Sequence, residues 1–263
     1  MTGVEVRMLR GLAEFADVRR LFETIWQPDP GGDPAPVELL AALAHTGNYV
    51  AGAYRDGRLV GASAGFLADP PGTTLHSHVT GTIEPGAGFA LKVHQREWAL
   101  ERGLTRITWT FDPLVRRNAY FNLGKLGARA TEYLPSFYGP VRDAINRGDE
   151  TDRLLVEWPL GDPRVADAVA GRPPGCPVPP GTPVVLGERV GLPARGRDGS
   201  SVMLVAIPDD IEALRRTDPL AARAWRRMFR ETLGGLLAEG GHVAGIHHRS
   251  HYVVERPSSR EVR

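Results

Sequence analysis

Thr74-Leu75-His76-Ser77-His78-Val79-Thr80-Gly81-Thr82-Ile83 leads into Glu84-Pro85-Gly86-Ala87-Gly88, and then into Phe89-Ala90-Leu91-Lys92-Val93-His94-Gln95-Arg96-Glu97-Trp98-Ala99-Leu100-Glu101-Arg102. The first ten residues are rich in β-formers and predict a strand. The next five hold a proline and two glycines, which neither a strand nor a helix interior sustains. Residues 89–102 then recur at helical spacing, and Gly103 is a suitable residue to stop them. A strand feeding a helix through a glycine turn presents backbone N–H groups and the positive helix end to one point, which suits an anion. Such turns are common, so the turn alone identifies nothing.

The flanks extend the pattern. Residues 4–9 read as a strand, and Phe15, Val18, Leu21, Phe22 and Ile25 as one face of a helix ending near Trp26, before the loop 28–36. Val37, Leu39, Leu40 and Leu43 suggest a short second helix stopped at Gly47. Strands 49–54 and 59–67 flank Arg55-Asp56-Gly57-Arg58, whose Asp-Gly pair is a strong hairpin turn. Downstream, 104–111 reads as a strand broken by Asp112-Pro113, 117–126 as a helix stopped by Gly127, and 153–158 as a strand. From 161 to 197 the composition turns to Pro173-Pro174-Gly175 and Pro179-Pro180-Gly181, the signature of a linker or long surface loop. Strand 202–207, a helix from Pro208, a longer helix 220–237 and strands 242–247 and 251–255 complete the chain. The fold class is α/β with a mixed sheet. The expected division is a first domain over 1–160, a linker over 161–197 and a small α/β accessory region over 198–263.

Composition narrows the function. The 263 residues carry a net charge of +1, which leaves no global footprint for nucleic acid. No apolar run suits a membrane span, and Met1 to Arg10 lacks the core of a signal peptide, so the expected location is the cytoplasm. The single cysteine, Cys176, lies in the proline-rich stretch and has no internal disulfide partner, which fits a reducing compartment.

The run from His76 to Gly81 and the turn and helix from Gly86 to Lys92 resemble the central motif of the GNAT N-acyltransferases. Gln95-Arg96-Glu97-Trp98, Trp109-Thr110-Phe111-Asp112-Pro113-Leu114, Arg117-Asn118-Ala119, Phe121-Asn122-Leu123 and Lys125-Leu126-Gly127 resemble one bacterial subgroup of that family, and Tyr138-Gly139 and Thr151-Asp152-Arg153-Leu154 extend the match. The resemblance covers 4–160. It implies a GNAT fold with acetyl-CoA or another acyl-CoA as co-substrate, and a small amine or amino acid as acceptor; a homodimer stays open. By position, Thr80, Gly81 and Thr82 would flank the pantetheine arm. Gly86, Ala87, Gly88, Phe89 and Ala90 would face the pyrophosphate, and Asn118 would contact the cofactor arm. The chain departs from the pattern twice. Ile83 stands where the family carries a basic or amide residue, on a shortened loop. Leu123 stands where a tyrosine protonates the leaving thiolate, with Tyr120 and Tyr138 as substitutes. A second reading therefore stands beside the first: a GNAT-fold binding or scaffolding module, or an enzyme with another ligand.

Other candidates divide by chemistry. His76 and His78 alternate on the strand, so they should share a face, and histidine is a suitable base for an attacking amine. Glu84 reads as a solvated charge and Asp112 as a turn residue. Gly61-Ala62-Ser63-Ala64-Gly65 matches a nucleophile pattern but lies in a strand, where small residues serve close packing. His242, His247, His248 and His251 lack metal-ligand spacing, so no metal is expected. Arg215, Arg216, Arg223, Arg226, Arg227 and Arg230 read as a solvated helical face, or as a partner for the cofactor's 3′-phosphate or an acidic acceptor.

Overall fold

A computed structural model describes residues 3–139, 141, 143–196 and 200–257. The chain forms a mixed β-sheet flanked by helices and a second, C-terminal sheet with helices of its own. Its packing divides into two units. The first comprises Met1–Trp109, Arg142–Ile145 and Pro159–Gly161; the second comprises Thr110–Val141, Asn146–Trp158 and Asp162–Arg263. No helix among the described residues is long and apolar enough to cross a membrane.

The first unit runs β1 (Glu5–Met8), α1 (Leu12–Trp26), α2 (Val37–His45), β2 (Tyr49–Arg55), β3 (Arg58–Ala68), β4 (Thr74–Thr82), α3 (Ala87–Leu100) and the start of β5 (Arg106–Phe111). The strands lie side by side in chain order, antiparallel up to β4 and parallel between β4 and β5. The β2–β3 turn has positive φ at both Asp56 (50°) and Gly57 (74°), the backbone that an Asp-Gly hairpin requires. Helix α1 starts where the Glu14 carboxylate accepts the Arg10 and Gly11 N–H groups. It buries Phe15, Val18, Leu21 and Phe22 against Val50, Ala62 and Ala64, each large side chain contributing roughly 1.5–3 kcal/mol. Helix α3 takes the opposite face. Trp98 meets Tyr49 edge-on at 5.3 Å, and the Tyr49 hydroxyl lies 2.9 Å from His94 Nδ1. Period-2 alternation along β2 and β3 explains this two-sided burial: Val50, Ala62 and Ala64 face α1, while Tyr49 and Ser63 face α3.

The second unit holds α4 (Arg116–Ala119), which continues as a π-helical turn over Tyr120–Lys125, then β6 (Arg129–Leu134) antiparallel to β7 (Arg153–Pro159), and α5 (Pro163–Val169). Next come β8 (Val184–Arg189), β9 (Leu192–Arg195), β10 (Val202–Ala206), α6 (Ile211–Thr217), α7 (Pro219–Phe229), a second π turn (Arg230–Gly234), α8 (Gly235–Ala238), β11 (His242–His247) and β12 (His251–Glu255). The C-terminal sheet has the order β11-β12-β10-β8-β9.

Three sequence expectations change here. The stretch 161–197 is not irregular throughout, because it contains α5, β8 and β9. Asp162 accepts the Arg164 N–H ahead of Pro163, a good helix start, and Val184-Val185-Leu186 becomes strand because β10 offers it an edge. Strand β6, with its weakly alternating pattern, was not expected. The arginines of α6 and α7 are not all a solvated face: Arg215 and Arg226 are 4% and 1% exposed. Arg226 grips Asp112 with two hydrogen bonds of 3.0 and 2.8 Å, and Arg215 reaches Asp112 at 2.6 Å and Asp149 at 3.1 Å. Asp112 also accepts the Leu114 N–H at 3.0 Å, so it is both the expected turn residue and the hub of a buried ion cluster. Arg230 pairs with Asp152, which also accepts from the Tyr133 hydroxyl at 2.6 Å.

Candidate active site

Strand β4 forks away from β5. The two pair at only Thr74↔Arg106, Leu75↔Ile107 and His76↔Thr108. Beyond His76, the pairing of β4 is with β3, and that ladder slips between Ala64↔Val79 and Gly65↔Ser77. His78 is the extra residue, a β-bulge. A bulge bends its strand and increases the local twist, so a straight neighbour cannot follow it. It also resets which side chains face which helix. Before it, Ser77 points at α3 and hydrogen-bonds Lys92; after it, Val79 joins the core under α1, and Thr80 bonds Ser63 on the α3 side. Gly81 faces α1, where a Cβ would stand 2.8 Å from Trp26 and 2.9 Å from Ile25. Its missing side chain thus has a packing reason on that face. Thr82 is half-buried.

The glycine turn follows the fork. Gly86 has φ of 87°, a left-handed conformation natural to glycine, and α3 begins at the buried Ala87, with Gly88, Phe89 and Ala90 half-buried in its first turn. Ala90 N–H already closes on Gly86 C=O at 3.0 Å. Two guanidinium groups flank the turn. Arg55 and Arg58, from the β2–β3 hairpin, both pair with Glu84, and Arg55 also donates to Pro85 C=O at 3.2 Å. Two cations against one carboxylate leave this corner net positive. Glu84 is therefore a paired charge and not the solvated one expected. Sequence reading missed both arginines because they are about thirty residues upstream of the turn they serve; no local pattern joins them to it.

At the fork itself, the rings of His76 and His78 both lie against Phe66, at 5.3 and 5.8 Å between centroids. His76 Nδ1 is 3.1 Å from Thr108 Oγ1, across the last pair before the strands part. Burial, then the neighbouring His78 and Lys92, lower its pKa to about 4, and burial lowers that of His78. Both rings are held towards the neutral form, the form that can accept a proton. On the α3 side a buried polar chain runs from Lys92 to Ser77 and Gln95, then from Gln95 to Ser63 and on to Thr80. Lys92 and Gln95 look like helix polar-face residues in the sequence, but they are 4% and 0% exposed.

Asn118 and Tyr138 belong to the second unit. Asn118 is half-buried in α4, its N–H bonded to Val115 C=O at 2.9 Å. Tyr138 is exposed, with its hydroxyl 3.4 Å from Thr110 Oγ1 and its N–H bonded to Thr151 Oγ1. Ser63 lies within β3, buried, with none of the strand–turn–helix geometry of a nucleophile elbow. Among the described residues no group of three or more histidine, cysteine, aspartate or glutamate side chains could hold a metal ion.

No protein-family profile matches the chain, and no curated protein matches it in sequence. Solved structures similar to it include yncA of Salmonella typhimurium with its cofactor acetyl-CoA, at 15% identity and a TM-score of 0.48 over 61% of this chain and 95% of that one. An N-acetyltransferase from Staphylococcus aureus Mu50 is similar at 10% identity and a TM-score of 0.48, over 60% and 99% of the two chains. A GNAT family acetyltransferase from Elizabethkingia anophelis with acetyl-CoA bound is similar at 15% identity and a TM-score of 0.45, over 60% and 99%.

Proposed function

We propose that this chain is an acyl-CoA-dependent N-acyltransferase of the GNAT type, within the bacterial subgroup its motifs resemble, acting on a small amine or amino acid. The observation that carries the reading is the fork: β4 leaves β5 at a bulge, and its open edge leads straight to a glycine turn and a helix N-terminus. An open strand edge offers N–H and C=O groups at regular spacing to an amide-bearing arm. The turn, with Arg55 and Arg58 beside it, offers a diphosphate both amides and guanidinium groups. These residues answer the absence of a basic residue at Ile83. Acyl-CoA supplies the acyl group as an activated thioester, acetyl or succinyl. His76 and His78, both shifted towards the neutral form, take the proton of the attacking amine. Holding both reactants at the fork supplies much of the acceleration.

Calorimetric titration with acetyl-CoA, succinyl-CoA and free coenzyme A tests the reading. Binding is expected, and Arg55→Ala with Arg58→Ala should weaken it about tenfold or more. Heat-free titrations of the wild type at millimolar ligand would instead leave the binding-module reading, in which Glu84 closes the turn by engaging both arginines. Once an acceptor is in hand, His78→Ala should lower turnover about 100-fold with little change in acyl-CoA affinity. Unchanged turnover would remove His78 from the mechanism and leave His76.

A further inference from the structure

Lys92 projects from the second turn of α3 and is buried, yet no carboxylate among the described residues pairs with it. Its Nζ donates to Ser77 Oγ at 2.9 Å and to Gln95 Oε1 at 3.2 Å, and stands 3.8 Å from the centroid of the Trp109 ring. Ser77 is the first residue of β4 beyond the last β4–β5 pair, and Trp109 follows Thr108 on β5. The ammonium therefore lies where the two strands part. His76, whose pKa the Lys92 charge lowers, bonds Thr108 at the same point.

Burying an ammonium without a carboxylate is unfavourable. The same arrangement stabilises negative charge that develops beside it. The open edge also has a length that matches this role. From Thr82, near the turn, back to Ser77 is six residues of strand including the bulge, at most about 17 Å, which suits an extended pantetheine arm held at its diphosphate end by the turn. The sulfur end then reaches the fork.

We propose that Lys92 is the acid of this site: its ammonium pairs with the sulfur leaving the thioester and protonates it. This rests on the acyl-CoA reading above. In the step, an N–H bond of Lys92 breaks and an S–H bond forms, leaving a neutral amine. The proton given up by the acceptor nitrogen to the histidines returns through solvent to Lys92, so the net reaction moves one proton from nitrogen to sulfur. Burial brings the Lys92 pKa down to about 7, so both forms are populated when the enzyme works near neutral pH.

The test needs no acceptor. Free coenzyme A is bound to the full chain and the ionisation of its thiol is followed by thiolate absorbance across pH, with desulfo-coenzyme A as the blank. In the wild type the bound thiol should ionise with a constant raised about tenfold or more over free coenzyme A. Lys92→Gln and Lys92→Met should return it to the free value while coenzyme A affinity at acid pH changes less than about threefold, and Lys92→Arg, a permanent cation, should keep it raised. A wild-type thiol that titrates as in solution overturns the role of Lys92 with no variant needed, as does a shift that persists in both uncharged variants; in either case acyl-CoA binding stands. Failure of the wild type to bind coenzyme A at all overturns both proposals.

Discussion

Asp112→Ala is expected to destabilise the second unit by about 3–5 kcal/mol, the range for removing one member of a buried ion pair. The substitution leaves Arg215 and Arg226, both almost wholly enclosed, without the carboxylate that both of them grip, while Asp149 still lies beside them. Urea unfolding monitored by tryptophan fluorescence measures the loss, with Trp225 inside the same unit as reporter. The cluster also predicts a pH dependence. Burial alone would raise the Asp112 pKa, but Arg226 and Arg215 beside it drive it below the usual carboxylate range. A depressed folded pKa contributes stability that is complete above the unfolded value, about 4, and is lost as pH falls below it. Asp112→Asn should remove that acid-side slope along with much of the stability. A loss under about 1 kcal/mol for the alanine variant would mean that the cluster behaves like exposed ion pairs.

Lys92→Met is expected to act in the opposite direction in the first unit, and its effect should depend on pH. The folded pKa of Lys92, about 7, lies below its unfolded value of 10.5. Between these values the unfolded chain binds the proton that the folded chain has shed, so wild-type stability rises with pH over this window. Below pH 7 the full penalty applies, of order 3–5 kcal/mol from the size of the shift. Methionine fills a similar volume and carries no charge, so the variant should gain on the wild type below pH 7. The advantage should shrink toward pH 10, less about 1 kcal/mol for each lost hydrogen bond to Ser77 and Gln95. Thermal unfolding of both proteins from pH 6 to pH 10 measures this difference. A gap that does not change with pH would show that Lys92 is not held against its charged form. A stabilised variant that no longer shifts the coenzyme A thiol would identify the penalty as one retained for chemistry.

Local sequence determined most of the elements. The Asp56-Gly57 hairpin, the β4–turn–α3 unit and the apolar stripe of α1 all follow from interactions between residues close in the chain: the left-handed conformation available to glycine, the 3.6-residue period and the alternation of strands. These same features also marked the glycine turn and the histidines as candidates. Elements whose pattern is weak, such as β6, or that lie within a proline-rich stretch, such as β8, became visible only when a neighbouring strand supplied their hydrogen bonds.

The chemistry of the site was decided by tertiary structure. Residue types do not mark the bulge at His78, because a bulge depends on how two strands fall into register, yet it sits where β4 leaves β5 and it resets Val79 to the α1 side and Thr80 to the α3 side. Arg55 and Arg58 came to the turn through the pairing of β2 with β3, and Asp112 met Arg226 across more than a hundred residues. Lys92 has the same side chain as any surface lysine; its enclosure by Ser77, Gln95 and Trp109 is what lowers its pKa. Burial and charge pairing are properties of a position in space, and the chain alone specifies them only by folding.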